Sequence, residues 1–156
     1  MSPAAPPSPF PVVLLPDLDG VPRPLGAAWA GGDALVAIGH SECQTTLLSL
    51  PFVDRLHRRL GSRVVLVLQD DAEVARGVVE ELGLEVPVRL EAHPYALARA
   101  LGIACVPTLF LVDAAGRIAR VGEGFLRVEL MAFAERLGLA DLLFLPDDDA
   151  PAFRPG

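Results

Sequence analysis

Two rhythms of apolar residues alternate along this chain. Unbroken apolar stretches within Ala34–Ile38 and Val64–Gln69 read as strands covered on both faces. Thr108–Val112 and Arg117–Val121 predict a hairpin turning on Asp113-Ala114-Ala115-Gly116, and Phe10–Leu15 and Val86–Leu90 predict shorter strands. Between these the spacing lengthens to that of a helix. From Gln44 onward Leu47, Leu48, Leu50, Phe52, Val53, Leu56 and Leu60 recur at helical intervals, with Gly61 as the stop. Arg55, His57, Arg58 and Arg59 fall toward the end where the helix dipole favours cations. Pro51 lies inside and predicts a kink, because it lacks a backbone donor and crowds the preceding turn. Ala72–Leu82 predicts a second helix, opened by Asp70-Asp71 and closed near Gly83. Pro94–Leu101 predicts a third with Pro94 in its first turn, and Arg127–Leu137 a last amphipathic one. Asp17-Leu18-Asp19-Gly20 reads as a turn with Gly20 at positive φ, and Trp29 as a packing anchor. Strands alternating with helices and ending in a hairpin and helix predict an α/β domain with a mixed sheet.

Composition narrows the picture. A chain of 156 residues suits one domain. The organisation expected is a Pro/Ala-rich disordered leader (1–9), a folded domain (10–140) and an acidic tail (141–156). In that tail Leu142-Leu143-Phe144-Leu145 is an apolar patch suited to docking, on an otherwise loose segment. Hydrophobic residues at 52% exclude a disordered chain, and a net charge of −7 argues against a nucleic-acid partner, which calls for a basic face. No run of about 18 apolar residues is present, so no membrane span is expected. The first residues, MSPAAPPSPF, lack a basic region followed by an apolar stretch, which leads to a cytoplasmic expectation.

The candidate chemistry lies where the first long strand meets the first long helix. Gly39-His40-Ser41 ends the strand, and Cys43 stands at the helix start. Unpaired N–H groups and the helix dipole there favour a thiolate. The second cysteine, Cys105, precedes Val106-Pro107-Thr108 at the mouth of the hairpin. Two cysteines do not make a disulfide framework. His40 and Cys43 are two ligands where zinc takes three or four, so no metal and no cofactor are expected.

These stretches resemble thioredoxin-fold proteins, and most of all the TlpA/ResA-like thiol–disulfide oxidoreductases, over about residues 10–138. The likeness rests on Leu15-Pro16-Asp17-Leu18-Asp19-Gly20, the strand–cysteine junction, Pro51, an inserted strand–helix unit, Val106-Pro107-Thr108, Leu111-Val112-Asp113 and Gly116-Arg117-Ile118. It implies a thioredoxin-like three-layer sandwich, an N-terminal extension, a central βα insertion and a cis peptide before Pro107. The family's Cys-x-x-Cys is here Cys43-Gln44-Thr45-Thr46, preceded by Glu42, and Ser49 stands where a proton-moving glutamate is common. The peroxiredoxin signature is absent, since His40 and Val36 occupy its Thr/Ser and Pro places.

Without a second thiol in the quartet, attack on a disulfide survives and internal resolution does not. The resemblance then implies a monothiol oxidoreductase. Cys43 would form mixed disulfides with a disulfide-containing protein or a low-molecular-weight thiol. Thr46 would support the thiolate, while Glu42 opposes it. Val106 and Pro107, with Glu42 at the rim, would bind the partner's backbone. Cys105 is either a displaced resolving thiol or a small packing residue. The rival reading is a redox-inactive or redox-sensing binding module using the same groove.

Overall fold

The computed structural model describes residues 7–156. The described chain opens on β1 (Leu14–Pro16) and β2 (Pro22–Pro24), an antiparallel pair. The predicted Asp17–Gly20 turn joins them, with Gly20 at φ 82°. The strand expected at Phe10–Leu15 is thus shifted toward β1, and Phe10 is instead a buried plug against Trp29 and Phe110. Of the expected leader, residues 1–6 lie outside the described residues. Ser8 accepts the Ile118 N–H at 2.7 Å, and Pro9 bridges to Arg117.

The central sheet has five strands in the order β5-β4-β3-β6-β7. They are β3 (Ala34–Gly39), β4 (Val64–Leu68), β5 (Val88–Leu90), β6 (Thr108–Val112) and β7 (Ile118–Glu123). β3, β4 and β5 run parallel, whereas β6 and β7 are antiparallel to their neighbours. Unbroken apolarity in β3, β4 and β6 has a simple cause. Side chains alternate between the faces, and both faces are covered. Leu35, Ala37, Leu66, Leu68, Leu109 and Leu111 pack with the helices on one side. Val36, Ile38, Val65, Val67, Phe110 and Val112 pack with Trp29, Leu97 and Leu101 on the other. The fold is the thioredoxin-like α/β sandwich that the sequence implied.

α1 (Gln44–Leu60) contains Pro51 and ends at Gly61, whose φ is 62°. α2 (Ala72–Leu82) has Asp71 as its cap, accepting the Val74 N–H at 2.9 Å. α3 (Ala96–Ala100) is shorter than predicted. The His93–Pro94 peptide is cis and Tyr95 is left-handed at φ 58°, so Pro94 lies before the helix rather than in its first turn. The buried Glu91 supplies the opening instead: its Oε1 accepts the N–H groups of Leu97 and Ala98. After β7 come β8 (Phe125–Leu126), α4 (Arg127–Arg136), α5 (Ala140–Leu143) and β9 (Phe153–Arg154).

The tail beyond Leu145 is not loose. β9 pairs antiparallel with β8, and the Arg127 N–H donates to the Ala152 carbonyl at 2.9 Å. Arg55 holds Asp148 with two nitrogens, at 2.5 and 2.7 Å. The expected docking patch does dock through Leu143, which is buried, and Phe144, which packs on Phe52 with the rings tilted at 42° and centroids 4.8 Å apart.

Candidate active site

The site forms where β3 runs out beneath α1. At Gly39 a Cβ would strike the Thr46 methyl, so only glycine lets the helix start this close to the strand end. Because β6 is antiparallel to β3, its first residue, Thr108, lies opposite Ile38, one residue before β3 ends at Gly39. Cys43 and Cys105-Val106-Pro107 are thereby brought together from positions far apart in the chain. The Val106–Pro107 peptide is cis. The Cys43 thiol donates to the Val106 carbonyl with Sγ at 3.3 Å. Glu42 is exposed at the rim.

Cys43 is the N-cap of α1, in extended conformation, with its side chain half-buried. Burial pushes its thiol up, but the Thr46 N–H and hydroxyl and then the Thr45 N–H outweigh it. The net result lies below the ordinary thiol value. Glu42 is not among these influences. Thr46 is fully buried, and its Oγ1 also accepts the His40 N–H at 3.3 Å. Ser49 is turned away: its hydroxyl donates back to the Thr45 carbonyl at 2.8 Å. Cys105 lies in the opposite electrostatic setting. Burial and the Glu123 carboxylate, 3.7 Å from its sulfur, push its thiol up, with the nearby Cys43 adding to the effect. Both cysteines are free thiols.

Three contributors escaped the sequence reading. Asp70 was read as opening α2, but Asp71 does that and Asp70 pins the Cys43 loop. Its carboxylate accepts the Ser41 N–H at 3.0 Å and the Ser41 hydroxyl at 2.5 Å. Asp70 lies two residues past the end of β4, and β4 runs parallel to β3, so both strand ends open on the same edge. The His40 ring nitrogen Nδ1 lies 3.7 Å from Asp70 yet accepts the Glu42 N–H at 3.1 Å. An Nδ1 that accepts carries no proton, so His40 and Asp70 are not an ion pair in this arrangement. The second contributor is Thr45, whose hydroxyl donates to the Pro155 carbonyl at 2.5 Å. The third is Gly156, whose Cα packs so tightly on the Val106 carbonyl that a Cβ would overlap it, with Cys105 Sγ 3.2 Å from that point.

Fold and site together define a thioredoxin-like domain with one cysteine in the helix-start quartet. The chain belongs to the Redoxin family, which matches residues 5–135. Among solved structures it is similar to a putative thiol:disulfide interchange protein DsbE from Chlorobium tepidum. The TM-score is 0.76 at 20% identity, over 88% of this chain and 98% of that one. A thiol-disulfide oxidoreductase from Bacteroides fragilis gives 0.72 at 17% identity, over 83% and 99%. The pneumococcal exposed lipoprotein thioredoxin Etrx1 from Streptococcus pneumoniae gives 0.67 at 20%, over 82% and 98%. At these identities the likeness is one of fold. No curated protein matches the sequence significantly.

Proposed function

We propose that this protein is a monothiol thiol–disulfide oxidoreductase acting through Cys43. The observation that carries the reading is the placing of Cys43 as N-cap of α1 with its sulfur 3.3 Å from the Val106 carbonyl, before the cis Pro107, where the Thr46 N–H and hydroxyl hold its thiol below the ordinary value. Above ambient pH, each unit of lowering yields about tenfold more thiolate while costing about threefold in intrinsic nucleophilicity, so reactivity rises by about threefold. The Cys43 thiolate attacks one sulfur of a disulfide and forms a mixed disulfide, and the other sulfur leaves as a thiolate. A second, external thiolate then attacks the partner's sulfur in the mixed disulfide, leaves joined to that partner in a new disulfide, and expels Cys43 as its thiolate. Thr46 stands where a resolving cysteine would close this cycle internally.

Val106 and Pro107 form the wall against which a partner's backbone lies, with Glu42 at the edge. The partner is a disulfide-containing protein or a low-molecular-weight thiol in its oxidised form. Cys105 is a poor resolver, because Glu123 and burial disfavour the thiolate it would need. A cytoplasmic setting suits the cycle, since small thiols are abundant there. One similar structure is an exposed lipoprotein, and fractionation of the native cells decides the compartment. The rival reading, a binding module, draws on one observation: the groove holds an extended segment, Pro155-Gly156, without any sulfur chemistry.

The test is mass spectrometry of the reduced protein after exposure to oxidised glutathione at neutral pH, with the adduct mapped. A stable glutathione adduct on Cys43, reversed by a second thiol, is the expected result. An inert Cys43 would leave the binding module.

A further inference from the structure

We propose that residues 153–156 are a strap lying in the peptide groove of Cys43, and that a disulfide partner reaches the sulfur only when this strap lifts. The inference rests on the thiol-exchange reading above and concerns the regulation of that same site.

Backbone contacts on both walls of the groove carry it. β9 adds a strand to β8 with Phe125 opposite Arg154 and Leu126 opposite Phe153. This is the way a groove takes an extended peptide. β8 is itself tied to the site, because the Gly124 N–H between β7 and β8 donates to the Pro107 carbonyl at 2.8 Å. Gly124 has φ 70°, and a Cβ there would press on the Arg154 carbonyl at 2.8 Å, so its missing side chain makes room for the strap. From β9 the chain crosses the site. The Pro155 carbonyl takes the Thr45 hydroxyl on the helix wall. Gly156 presses on the Val106 carbonyl beside Cys105 on the other wall. The Val106 carbonyl is also the group that holds the Cys43 thiol.

Thr45 couples the strap to the sulfur. Its single hydroxyl proton is donated to Pro155 and cannot at the same moment serve Cys43. Lifting the strap both uncovers the groove and returns that proton to the thiolate. The strap is built to open. Residues 151–156 are all exposed and β9 is two residues long, so few apolar contacts oppose release. The anchor upstream is firmer: Asp148 is clasped by Arg55, and Phe144 is packed among Phe52 and Phe125. Ala150 belongs to the anchor too, packed against the core with its carbonyl accepting Arg127 Nη1 at 3.3 Å, so lifting hinges beyond Ala150.

The experiment uses the full chain and two substitutions that act on different bonds. Gly156→Val places a side chain against the Val106 carbonyl, and Arg154→Pro removes a strand donor from β9. Amide exchange over residues 150–156 reports release, and intact-mass kinetics report adduct formation on Cys43. Two disulfides serve as probes, oxidised glutathione and a longer peptide disulfide. Release with a rate gain on the order of tenfold, larger for the peptide, is the expected result for an occluded site. Release with unchanged Cys43 rates overturns the strap. If Cys43 is inert in every form, the thiol-exchange reading fails by itself, and a synthetic peptide of residues 149–156 then decides. Binding of that peptide to the released variants but not to the natural chain upholds the strap, and binding to neither overturns it.

Discussion

At the scale of single residues the site is a contest over two thiols. Thr46→Val keeps the shape that packs under Gly39 but removes a hydroxyl that stabilises the Cys43 thiolate. The inflection in the pH profile of Cys43 alkylation should move upward, and the rate at neutral pH should fall by about threefold for each unit moved. Iodoacetamide kinetics with the label mapped would show it; an unmoved inflection would mean that the backbone N–H groups suffice. Cys105 should respond with the opposite sign. Removing the Glu123 charge in Glu123→Gln should shift the Cys105 inflection downward, since that carboxylate now raises it. Cys43 was legible in the sequence because the strand-to-helix junction is marked by Gly39 and by the change of apolar rhythm. Thr45 was not, because its partner Pro155 lies 110 residues away in a segment without periodicity. Asp70 was hidden by its neighbour: two adjacent aspartates gave one helix cap, and nothing local says which of them faces the other strand's loop.

At the scale of elements, what decided legibility was whether a signal was local. α2 was read residue for residue because Asp71, its apolar face and Gly83 all belong to the helix itself. α3 departs from its sequence pattern because its start is set by Glu91, which lies five residues before Ala96 and acts across a cis-proline turn. The hold on the inserted unit is equally non-local. Asp54 of α1 is buried, accepts the Glu85 and Val86 N–H groups at 2.7 and 2.9 Å, and takes Arg58 Nε at 2.8 Å. Asp54→Ala would leave two backbone donors without their acceptor next to the core, a loss of about 3 kcal/mol. Urea unfolding measures it directly. A loss under about 1 kcal/mol would mean that water replaces the carboxylate.

At the scale of the whole molecule the tail shows its docking patch in the sequence, but the order of the segment beyond Leu145 is not legible there. Its order depends on one ion pair, on Phe144 and on backbone bonds, none of which leaves a periodic trace in the sequence. The ion pair has a pH signature. Arg55 holds Asp148 down to about 2 against an ordinary value of 3.8, with the Leu145 N–H assisting and Arg127 adding charge. A carboxylate whose folded value is depressed contributes stability above its unfolded value and loses it as the pH falls through the folded one. The clasp is thus in full force above about pH 4 and fades toward pH 2. Arg55 is partly open to solvent, so its worth at neutral pH is about 1 kcal/mol rather than what a dry pair would give. Asp148→Asn should therefore unfold at lower urea than the natural protein at pH 6. That difference should shrink between pH 4 and pH 2, where the natural Asp148 is itself losing its charge. A difference that persists unchanged at pH 2 would assign the loss to packing instead of charge. Because this clasp anchors the segment that carries β9, Asp148→Asn should also quicken amide exchange over residues 150–156 at neutral pH.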